Sequence, residues 1–510
     1  MGASGSSLSP DEQTKVSRKV IYEYEREKAT SAPGTDLSGY VHERVAAHSA
    51  LPEAGYQCPK VRFGRTELQM PIVTCGGMRI QETWGRKTKP VPADISGVDT
   101  ACQDNLIATI RRALELGVNH FETALGYGSS EIQFSDALAS LIASGEVKRE
   151  DIIIQTKVSP KKPGDFKEAM EKSFRQMQVD GPIGYIDLFS FHGINKQVSL
   201  DYIFEQGGWD VVQELRDAGK IRWVGFSTHG MPDIITAAIE TDKFDYVNIH
   251  YDFIGSYTAS GSGEAGGNLT CLQKAQEHDM GIFIISPNDK GGKLYKPSKK
   301  FADLCAPDLD PISFNALWLW HHTPAAHTLV IGVARPTDFD EMVLATKLFD
   351  TEEGRAKVAA VEGRMVAAAH EALGQEWYEN WHVGLPNGYQ CSSGVMVGKW
   401  VWLWNIVKAW GLFEFAKDRY IGVMSNNKAW DDAKTFEENT ADWGFMPGCC
   451  YREGVEADLE GVPDPEKVLA ILKEVDGWLT KTGPGLPEEL KADCAPAYDL
   501  QPDTPWPERS

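Results

Sequence analysis

The chain has 510 residues, of which 42% are hydrophobic and 24% are charged, and it carries a net charge of −22. Its length exceeds what one hydrophobic core usually serves and predicts two or more domains, while its acidity argues against a nucleic-acid partner, whose phosphates would be repelled. The nine cysteines are odd in number and irregularly spaced, which favours a reducing, cytoplasmic location over a disulfide framework.

Residues 1–55 are expected to form an N-terminal extension. The first residues, M-G-A-S-G-S, lack the apolar segment of a signal peptide. They fit the pattern for N-myristoylation of Gly2, with a hydroxyl side chain at Ser6. The alternative is a disordered Ser/Gly-rich tail, and one acyl chain alone would bind a membrane only weakly. The sequence contains no run of about 20 apolar residues, so no transmembrane helix is predicted.

Strand and helix patterns alternate eight times between residues 56 and 350. After a hairpin that turns at Gly64, apolar runs predict strands at 72–79, 118–123, 151–158, 185–192, 221–227, 245–251, 281–286 and 328–333. Helices are predicted at 103–117, 129–143, 165–178, 207–218, 232–241, 269–279, 311–322 and 337–349. Because such runs are typical of parallel strands buried on both faces, an α/β fold with a closed (β/α)8 barrel is predicted. A doubly wound open sheet is the alternative, but only Gly76-Gly77 follows the first strand where a Gly-rich fingerprint would be needed.

The periodicity changes after residue 350, and residues 351–510 are expected to form a mainly helical C-terminal domain. An Ala-rich helix is predicted at 354–373. The very apolar run from Trp400 to Trp410 favours a buried packing helix over a membrane-surface element. The last 20 residues are rich in proline and acidic side chains and are expected to form a tail.

Polar side chains of complementary chemistry follow three successive predicted strands. The stretch V-N-H-F-E-T-A-L-G-Y-G-S-S-E carries Glu122 and Tyr127, Lys157 ends the next strand, and His192 ends the one after. Each residue alone would more often be structural, but barrel strands bring their carboxyl ends to one face. A nearby ammonium would lower the pKa of the phenol, a carboxylate would hold the lysine, and a histidine could donate to a carbonyl oxygen. No side chain delivers hydride, so the set implies a nicotinamide cofactor.

These residues resemble the signature of the aldo-keto reductases, and the resemblance runs through about 58–350. The family's strand ending in Asp-Thr-Ala, followed by Tyr-Gly and Ser-Glu, is present as E-T-A-L-G-Y-G-S-S-E, with Glu122 in the place of the aspartate. The resemblance implies a TIM barrel that reduces an aldehyde or ketone to an alcohol with NADP(H). It assigns Tyr127 as general acid, Lys157 as the group that lowers its pKa, Glu122 as the partner of Lys157, and His192 as the residue that orients the carbonyl.

The resemblance also assigns cofactor contacts. The matching positions are Ser227, Thr228, Asn248, Ser286, Pro287, Gly332 and Arg335. The first two would hold the nicotinamide carboxamide with Asn248, which replaces a usual glutamine, and Ser286-Pro287 would form the phosphate-side turn. Arg335 is the candidate for binding a 2′-phosphate, because a guanidinium can donate two parallel hydrogen bonds to phosphate oxygens. It therefore favours NADP over NAD. An ordinary surface arginine is the alternative.

The chain is most similar to the subgroup of this family with a C-terminal ferredoxin-like domain, as the segment W-H-V-G-L-P from Trp381 indicates. The cluster motif C-x2-C-x2-C-x3-C-P keeps only Cys391 here, and downstream only the adjacent pair Cys449-Cys450 remains. Adjacent cysteines cannot reproduce the spacing, so the domain is expected to hold no iron–sulfur cluster and no metal.

Two classes of function stay open at this point. The first is an NADP(H)-dependent carbonyl reductase acting on a small molecule. The second is a non-catalytic NADPH-binding regulatory or interaction protein on the same barrel, motivated by the extra domains and the myristoylation pattern. Retention of all four polar positions favours the first class.

Overall fold

The structure is a computed structural model that describes residues 55–82, 90–256, 267–322, 324, 326–386, 389–426, 430–441, 443–444, 447–480 and 483–497. Gly2, the rest of the predicted N-terminal extension up to residue 54, and the end of the predicted C-terminal tail lie outside these residues. None of the described helices is both long enough and apolar enough to cross a membrane. All nine cysteines are described, and all are free thiols.

Eight parallel strands close into a barrel, so the predicted (β/α)8 fold is confirmed and the open-sheet alternative is wrong. The short antiparallel hairpin that precedes the barrel consists of β1 (Lys60–Arg62) and β2 (Gln69–Pro71). The barrel strands are β3 (Val73–Gly76), β4 (His120–Glu122), β5 (Ile153–Val158), β6 (Ile186–His192), β7 (Ile221–Ser227), β8 (Tyr246–Ile249), β9 (Gly281–Ile285) and β10 (Thr328–Gly332). Closure follows because β10 pairs in parallel with both β9 and β3.

The helices that connect the strands follow the predicted order. They are α1 (Thr100–Glu115), α2 (Ser130–Ala143), α3 (Pro163–Gln176), α4 (Gln197–Leu200), α5 (Gly208–Asp217), α6 (Pro232–Glu240), α7 (Leu269–Glu277), α8 (Pro287–Lys290), α9 (Lys299–Cys305), α10 (Pro311–His321) and α11 (Val343–Leu348). The first begins earlier than predicted because the Asp99 carboxylate caps it, accepting hydrogen bonds from the backbone N–H groups of Ala101 and Cys102. The predicted helix at 337–349 starts as a 3-10 helix, Pro336–Met342.

The N-terminal end of the barrel is filled by side chains. Phe63, in the hairpin, is fully buried and packs against Phe283 and Tyr246, with ring centroids 4.6 and 6.0 Å apart. A barrel of eight strands has an interior only wide enough for side chains, so this end offers no entry. The polar strand ends therefore face the opposite, C-terminal end.

The C-terminal region is helical, as predicted. It consists of α12 (Glu352–Leu373), α13 (Gln375–Asn380), α14 (Val397–Trp410), α15 (Phe413–Asn426), α16 (Phe436–Thr440), α17 (Pro465–Leu479) and α18 (Glu488–Cys494). The Trp-rich α14 is buried, and each of its indole N–H groups donates a hydrogen bond within the protein. Those of Trp402 and Trp410 reach the backbone oxygens of Ile254 and Met365, at 2.6 and 3.0 Å. Its role is therefore packing, against the barrel on one side and α12 on another.

Candidate functional site

A buried ion pair lies where β4 and β5 end. Lys157 Nζ contacts Glu122 Oε1 directly and donates a second hydrogen bond, 2.7 Å long, to the backbone oxygen of Thr123. Both charged side chains are at most 3% exposed. Burial lowers the pKa of Lys157, and the neighbouring carboxylate opposes this. Glu122 thus keeps a cation fixed at the bottom of the site.

Tyr127 and His192 lie above this pair. Lys157 Nζ is 4.7 Å from the centroid of the Tyr127 ring, and the Tyr127 and His192 rings meet edge to face with centroids 5.5 Å apart. Both rings are half-buried, whereas Glu122 and Lys157 are buried. The structure therefore brings the four predicted side chains together, with the phenol and the imidazole on the more open side.

The pKa of Tyr127 does not follow the sequence-based expectation. Burial raises this pKa well above its usual value, Glu122 raises it further, and Arg79 lowers it. The lowering expected from Lys157 is outweighed, because burial and the charge of Glu122, which contacts the ammonium and offsets part of its charge, act in the opposite direction. The phenol is consequently fully protonated at neutral pH, which is the form that donates a proton.

The two histidines of this part of the barrel are neutral. Burial, followed by the charge of Lys157, lowers the pKa of both His192 and His120 to about 3. His120, on β4, is fully buried, and its Nδ1 lies 2.8 Å from the hydroxyl of Thr74. A neutral imidazole retains one N–H donor, so His192 can donate a hydrogen bond to a bound oxygen.

These shifts predict a loss of stability in acid. A histidine with a folded-state pKa near 3 and an unfolded value near 6.5 binds its proton only in the unfolded chain, so stability is complete above about pH 6.5 and falls as the pH is lowered towards 3, by about 1.4 kcal/mol per pH unit. We expect His120→Gln to lose less stability than the wild type over this range, measured by urea unfolding at several pH values. Burial raises the pKa of Glu131 to about 7, so protonation of this carboxyl stabilises the folded state as the pH falls. Both proteins contain Glu131, so its contribution cancels when the two pH dependences are compared. Equal slopes for the two proteins would show that His120 titrates normally.

Ser227 and Thr228, the two residues predicted to bind the nicotinamide carboxamide, make different contacts. Ser227 ends β7 in register with His192, and its Oγ accepts a hydrogen bond from the backbone N–H of Gly193 at 3.1 Å. Thr228 is fully buried and donates to the backbone oxygen of Ile194 at 2.7 Å. Ser227 keeps its hydroxyl proton available for a ligand, whereas Thr228 holds the loop after β6.

Asn248 lies in the barrel interior and is fully buried. Its Oδ1 accepts a hydrogen bond from Gln155 Nε2 at 2.9 Å. Among the described residues its Nδ2 has no hydrogen-bond partner. A buried amide donor without a partner is costly, which is typical of a group that awaits a ligand or a water molecule.

The turn after β9 concentrates positive charge that the sequence analysis missed. Ser286 has a left-handed backbone, with a φ of 55°, an uncommon conformation for a residue other than glycine. Lys290 follows it and is only 9% exposed, and its backbone N–H donates a hydrogen bond to the backbone oxygen of Ser286 at 2.8 Å. The carboxylates of Asp289 and Asp252 are near enough to raise the pKa of its side chain. Burial, then the charge of Arg419, lowers the pKa of Lys290 to about 7. The turn therefore offers a buried cation beside the predicted phosphate position.

The C-terminal region covers this same turn. Arg419 on α15 donates to Asp289 Oδ2 at 2.7 Å, and Asp418 Oδ2 lies 2.6 Å from Lys293 Nζ. A Cβ added to Gly292 would come within 3.3 Å of the side chain of Leu412. The turn after β9, which is the predicted phosphate-side turn, is thus enclosed by residues of the C-terminal region.

The last predicted cofactor positions lie after β10. Gly332 ends this strand, and a Cβ added there would come within 3.0 Å of the Arg79 side chain. Arg335 is 3% exposed, and its Nε donates to Asp338 Oδ1 at 3.2 Å. The alternative of an ordinary surface arginine is therefore wrong, and a phosphate at Arg335 would compete with Asp338.

Within the described residues, no group of three or more His, Cys, Asp or Glu side chains is arranged to hold a metal ion. Cys391 is buried, and Cys449 and Cys450 are partly buried. Burial raises the pKa of all three thiols, to between about 11 and 12, which disfavours the thiolate form that binds metals. The absence of a cluster stays a prediction.

Residues 75–303 match the model of the Aldo/keto reductase family. L-galactose dehydrogenase of Arabidopsis thaliana is 33% identical over 36% of this chain and 56% of its own length. NADP-dependent D-sorbitol-6-phosphate dehydrogenase of Malus domestica is 28% identical over 25% of this chain and 45% of its own length. Among solved structures, an aldo-keto reductase of Bacillus halodurans in its holo form covers 60% of this chain and 96% of its own, with 18% identity and a TM-score of 0.44. The matched segments span about half the length of the curated relatives.

Proposed function

We propose that this protein is an aldo/keto reductase, an NADP(H)-dependent oxidoreductase that reduces an aldehyde or ketone to the alcohol, because residues 75–303, most of the barrel, match the model of that family. The observation that carries the proposal is the half-buried Tyr127, whose ring centroid is 4.7 Å from Nζ of the buried Lys157 and whose ring meets His192 edge to face. This arrangement supplies a proton, a fixed positive charge and a neutral hydrogen-bond donor on one side of the barrel mouth.

Each of the four side chains has a separate role in carbonyl reduction. A bound nicotinamide cofactor supplies the hydride. Tyr127 donates its hydroxyl proton to the oxygen that becomes the alcohol, and neutral His192 donates a hydrogen bond to the same oxygen. Lys157 stabilises the phenolate that remains on Tyr127, because its charge is fixed nearby. Glu122 positions Lys157 and keeps it protonated.

The residues present fit a phosphate-bearing dinucleotide. Ser227 has a free hydroxyl proton and Asn248 an unpartnered amide N–H, which suit the oxygen of a carboxamide. Lys290 offers a buried amine at the turn after β9, beside the charge of Arg419, which suits the phosphates. Arg335, held by Asp338, would bind the 2′-phosphate, and the NADP-dependent relative is consistent with this preference.

Replacement of Arg335 is predicted to weaken NADPH more than NADH. A charged hydrogen bond to phosphate is worth about 1.5–3 kcal/mol, so Arg335→Ala should raise the KM for NADPH roughly tenfold or more, with a much smaller effect on NADH. The control is Arg355→Ala, an exposed arginine paired with Asp350, which should leave both constants unchanged. Equal weakening of both cofactors by Arg335→Ala would assign this residue a structural role only.

The proposed activity is tested by following NADPH oxidation with a panel of aromatic aldehydes and quinones. The expected result is turnover of panel members by the 510-residue chain, and a decrease of roughly 10²–10⁴ in Tyr127→Phe. Binding of NADPH without oxidation in the presence of any carbonyl would instead favour the non-catalytic regulatory or interaction protein.

Three parts of the sequence-based account stay predictions. They are the boundary at residue 350 between barrel and C-terminal domain, the relation of that domain to ferredoxin-like domains, and the myristoylation of Gly2. Free cysteines throughout are consistent with the predicted reducing location.

A further inference from the structure

An arginine with no role in the proposed chemistry lies at the mouth of the barrel. Arg79 follows β3, three residues after Gly76. β3 pairs in parallel with β4 on one side and with β10 on the other, and Gly76 is in register with both Glu122 and Gly332. Because the carboxyl ends of barrel strands share one face, Arg79 lies on the same face as Glu122 and Tyr127.

The turn that carries Arg79 is held against β4. The backbone N–H of Gly77 donates to the backbone oxygen of Glu122 at 2.7 Å, and Ser130 Oγ donates to the backbone oxygen of Gly77 at 3.0 Å. Ile80, the next residue after Arg79, is fully buried. The backbone on both sides of Arg79 is therefore fixed, and its side chain starts from a defined position.

The Arg79 side chain lies across the end of β10. A Cβ added to Gly332 would come within 3.0 Å of Arg79 Cγ and 3.3 Å of its Nε, so this glycine leaves the space that the arginine occupies. The charge of Arg79 is near enough to lower the pKa of both Tyr127 and Lys290. The guanidinium is therefore within range of the proposed proton donor and of the turn after β9.

Arg79 is accessible to a ligand. It is half-buried, as Tyr127 and His192 are, so solvent reaches all three side chains. Lys157, in contrast, is 1% exposed and contacts Glu122. A guanidinium is only weakly hydrated, so one that solvent reaches can exchange its water for an anion at little cost.

The nearby carboxylates do not oppose an added anion. Glu122 contacts the ammonium of Lys157. Asp289 Oδ2 accepts a hydrogen bond from Arg419 at 2.7 Å. Each of these negative charges is matched by a cation of the protein, so the charge of Arg79 is not needed to balance them.

Resting on the proposed reductase function, we infer that the substrate is a carbonyl compound that also bears a carboxylate, which the Arg79 guanidinium binds while the carbonyl oxygen meets Tyr127 and His192. A guanidinium and a carboxylate are both planar and form two parallel charged hydrogen bonds. The net charge of −22 repels anions at long range, so recognition of such a substrate needs a local cation. The carboxylate takes no part in the reaction, in which hydride reaches the carbonyl carbon and a proton its oxygen.

The competing role for Arg79 is a contact to the cofactor, because Lys290 and Gly332 are among the proposed cofactor residues. Proximity to Tyr127 favours the substrate, since the carbonyl oxygen must come within hydrogen-bond distance of the phenol. Measurement of NADPH affinity alongside substrate preference separates the two roles.

The test compares 4-formylbenzoate with 4-formylbenzamide, two aldehydes of nearly the same shape that differ in charge. In the wild type, kcat/KM should be about tenfold or more higher for the carboxylate, as expected for a charged hydrogen bond. Arg79→Gln should bring the two values within about twofold of each other and leave NADPH affinity within about twofold, whereas Arg79→Lys should retain part of the preference. The control Arg222→Gln removes an equal charge from an exposed arginine at the opposite end of the barrel and should leave the preference unchanged.

Three kinetic results would overturn the inference. They are equal kcat/KM for the two aldehydes in the wild type, a preference that Arg79→Gln leaves intact, and a loss of NADPH affinity in Arg79→Gln as large as the loss of preference. Should Arg79→Gln fail to fold, the wild-type comparison and Arg79→Lys still decide.

A binding measurement makes the test independent of turnover. Calorimetry in the presence of NADP⁺, which has no hydride to give, should show tighter binding of 4-formylbenzoate than of 4-formylbenzamide, and Arg79→Gln should remove the difference. Equal binding, or binding of neither aldehyde, would overturn the inference. Preferential binding without turnover of any carbonyl would support the Arg79 site and contradict the proposed reductase function, whereas equal turnover of both aldehydes would do the reverse.

Discussion

Tyr127→Phe is expected to lower kcat for carbonyl reduction by roughly 10²–10⁴, the usual contribution of a general acid, while the affinity for NADPH stays within about twofold. The reason is that the variant keeps the ring beside Lys157 and His192 and loses only the hydroxyl group, the source of the proton. Steady-state kinetics with the best carbonyl of the panel and a fluorescence titration with NADPH measure the two quantities separately.

The matched control for this change is Tyr185→Phe. Tyr185 is a half-buried tyrosine whose ring lies under the guanidinium of Arg149, 3.8 Å from the ring centroid, outside the site. Its hydroxyl has no proposed role in turnover, so kcat should stay at the wild-type value. Near-normal activity of Tyr127→Phe would remove Tyr127 as the proton donor.

Lys157→Met is expected to have the largest combined effect, on stability and on turnover. The change removes one partner of a buried ion pair and leaves Glu122, 3% exposed, without a counter-charge. Such a loss destabilises a protein by about 3–5 kcal/mol. Turnover should fall as well, because the phenolate of Tyr127 would no longer be stabilised. Urea unfolding measured at neutral pH reports the first effect, and kcat the second.

The double variant Glu122→Leu/Lys157→Met separates these two effects. It leaves no charge in the buried position, so much of the lost stability should return, as is often seen when a buried pair is replaced by apolar residues. Activity should stay low, because the ammonium is still missing. Recovery of activity together with stability would mean that Lys157 serves the fold and not the chemistry.

The barrel and the meeting of the four polar residues could be predicted because both depend on local pattern. Near-continuous apolar runs placed all eight strands within a few residues of their observed bounds. The carboxyl ends of parallel strands must then share one face, so Glu122, Lys157 and His192, which lie at or near such ends, were expected near each other. The register of β4, β5 and β6 brings this about.

The electrostatics of the site could not be read in the same way. The direction of the Tyr127 pKa depends on how closely Glu122 approaches Lys157 and on the depth of burial. Neither quantity is encoded in spacing along the chain. Arg335 was similarly visible as a cation, but its burial against Asp338 depends on the 3-10 helix that follows it.

Contacts between segments that are far apart in the chain could not be predicted from the sequence. The sequence did not single out Lys290, because its properties come from burial and from the charge of Arg419, which lies 129 positions later in the chain. Trp402 of α14 likewise meets the loop after β8 only in the folded chain, where its indole N–H donates to the backbone oxygen of Ile254. Long-range packing of this kind is specified by the whole fold and not by a local motif.

We propose that hydride passes in this barrel from a nicotinamide to a carbonyl carbon, and a proton from Tyr127 to the carbonyl oxygen. The most direct test uses NADPH deuterated at both C4 positions of the nicotinamide, with an aromatic aldehyde of the panel as acceptor and mass spectrometry of the alcohol as readout. We predict an alcohol with one deuterium on the carbinol carbon, formed by Tyr127→Phe roughly 10²–10⁴ times more slowly than by the wild type. Alcohol without deuterium, or NADPH that binds but is never consumed with any carbonyl, would contradict the account.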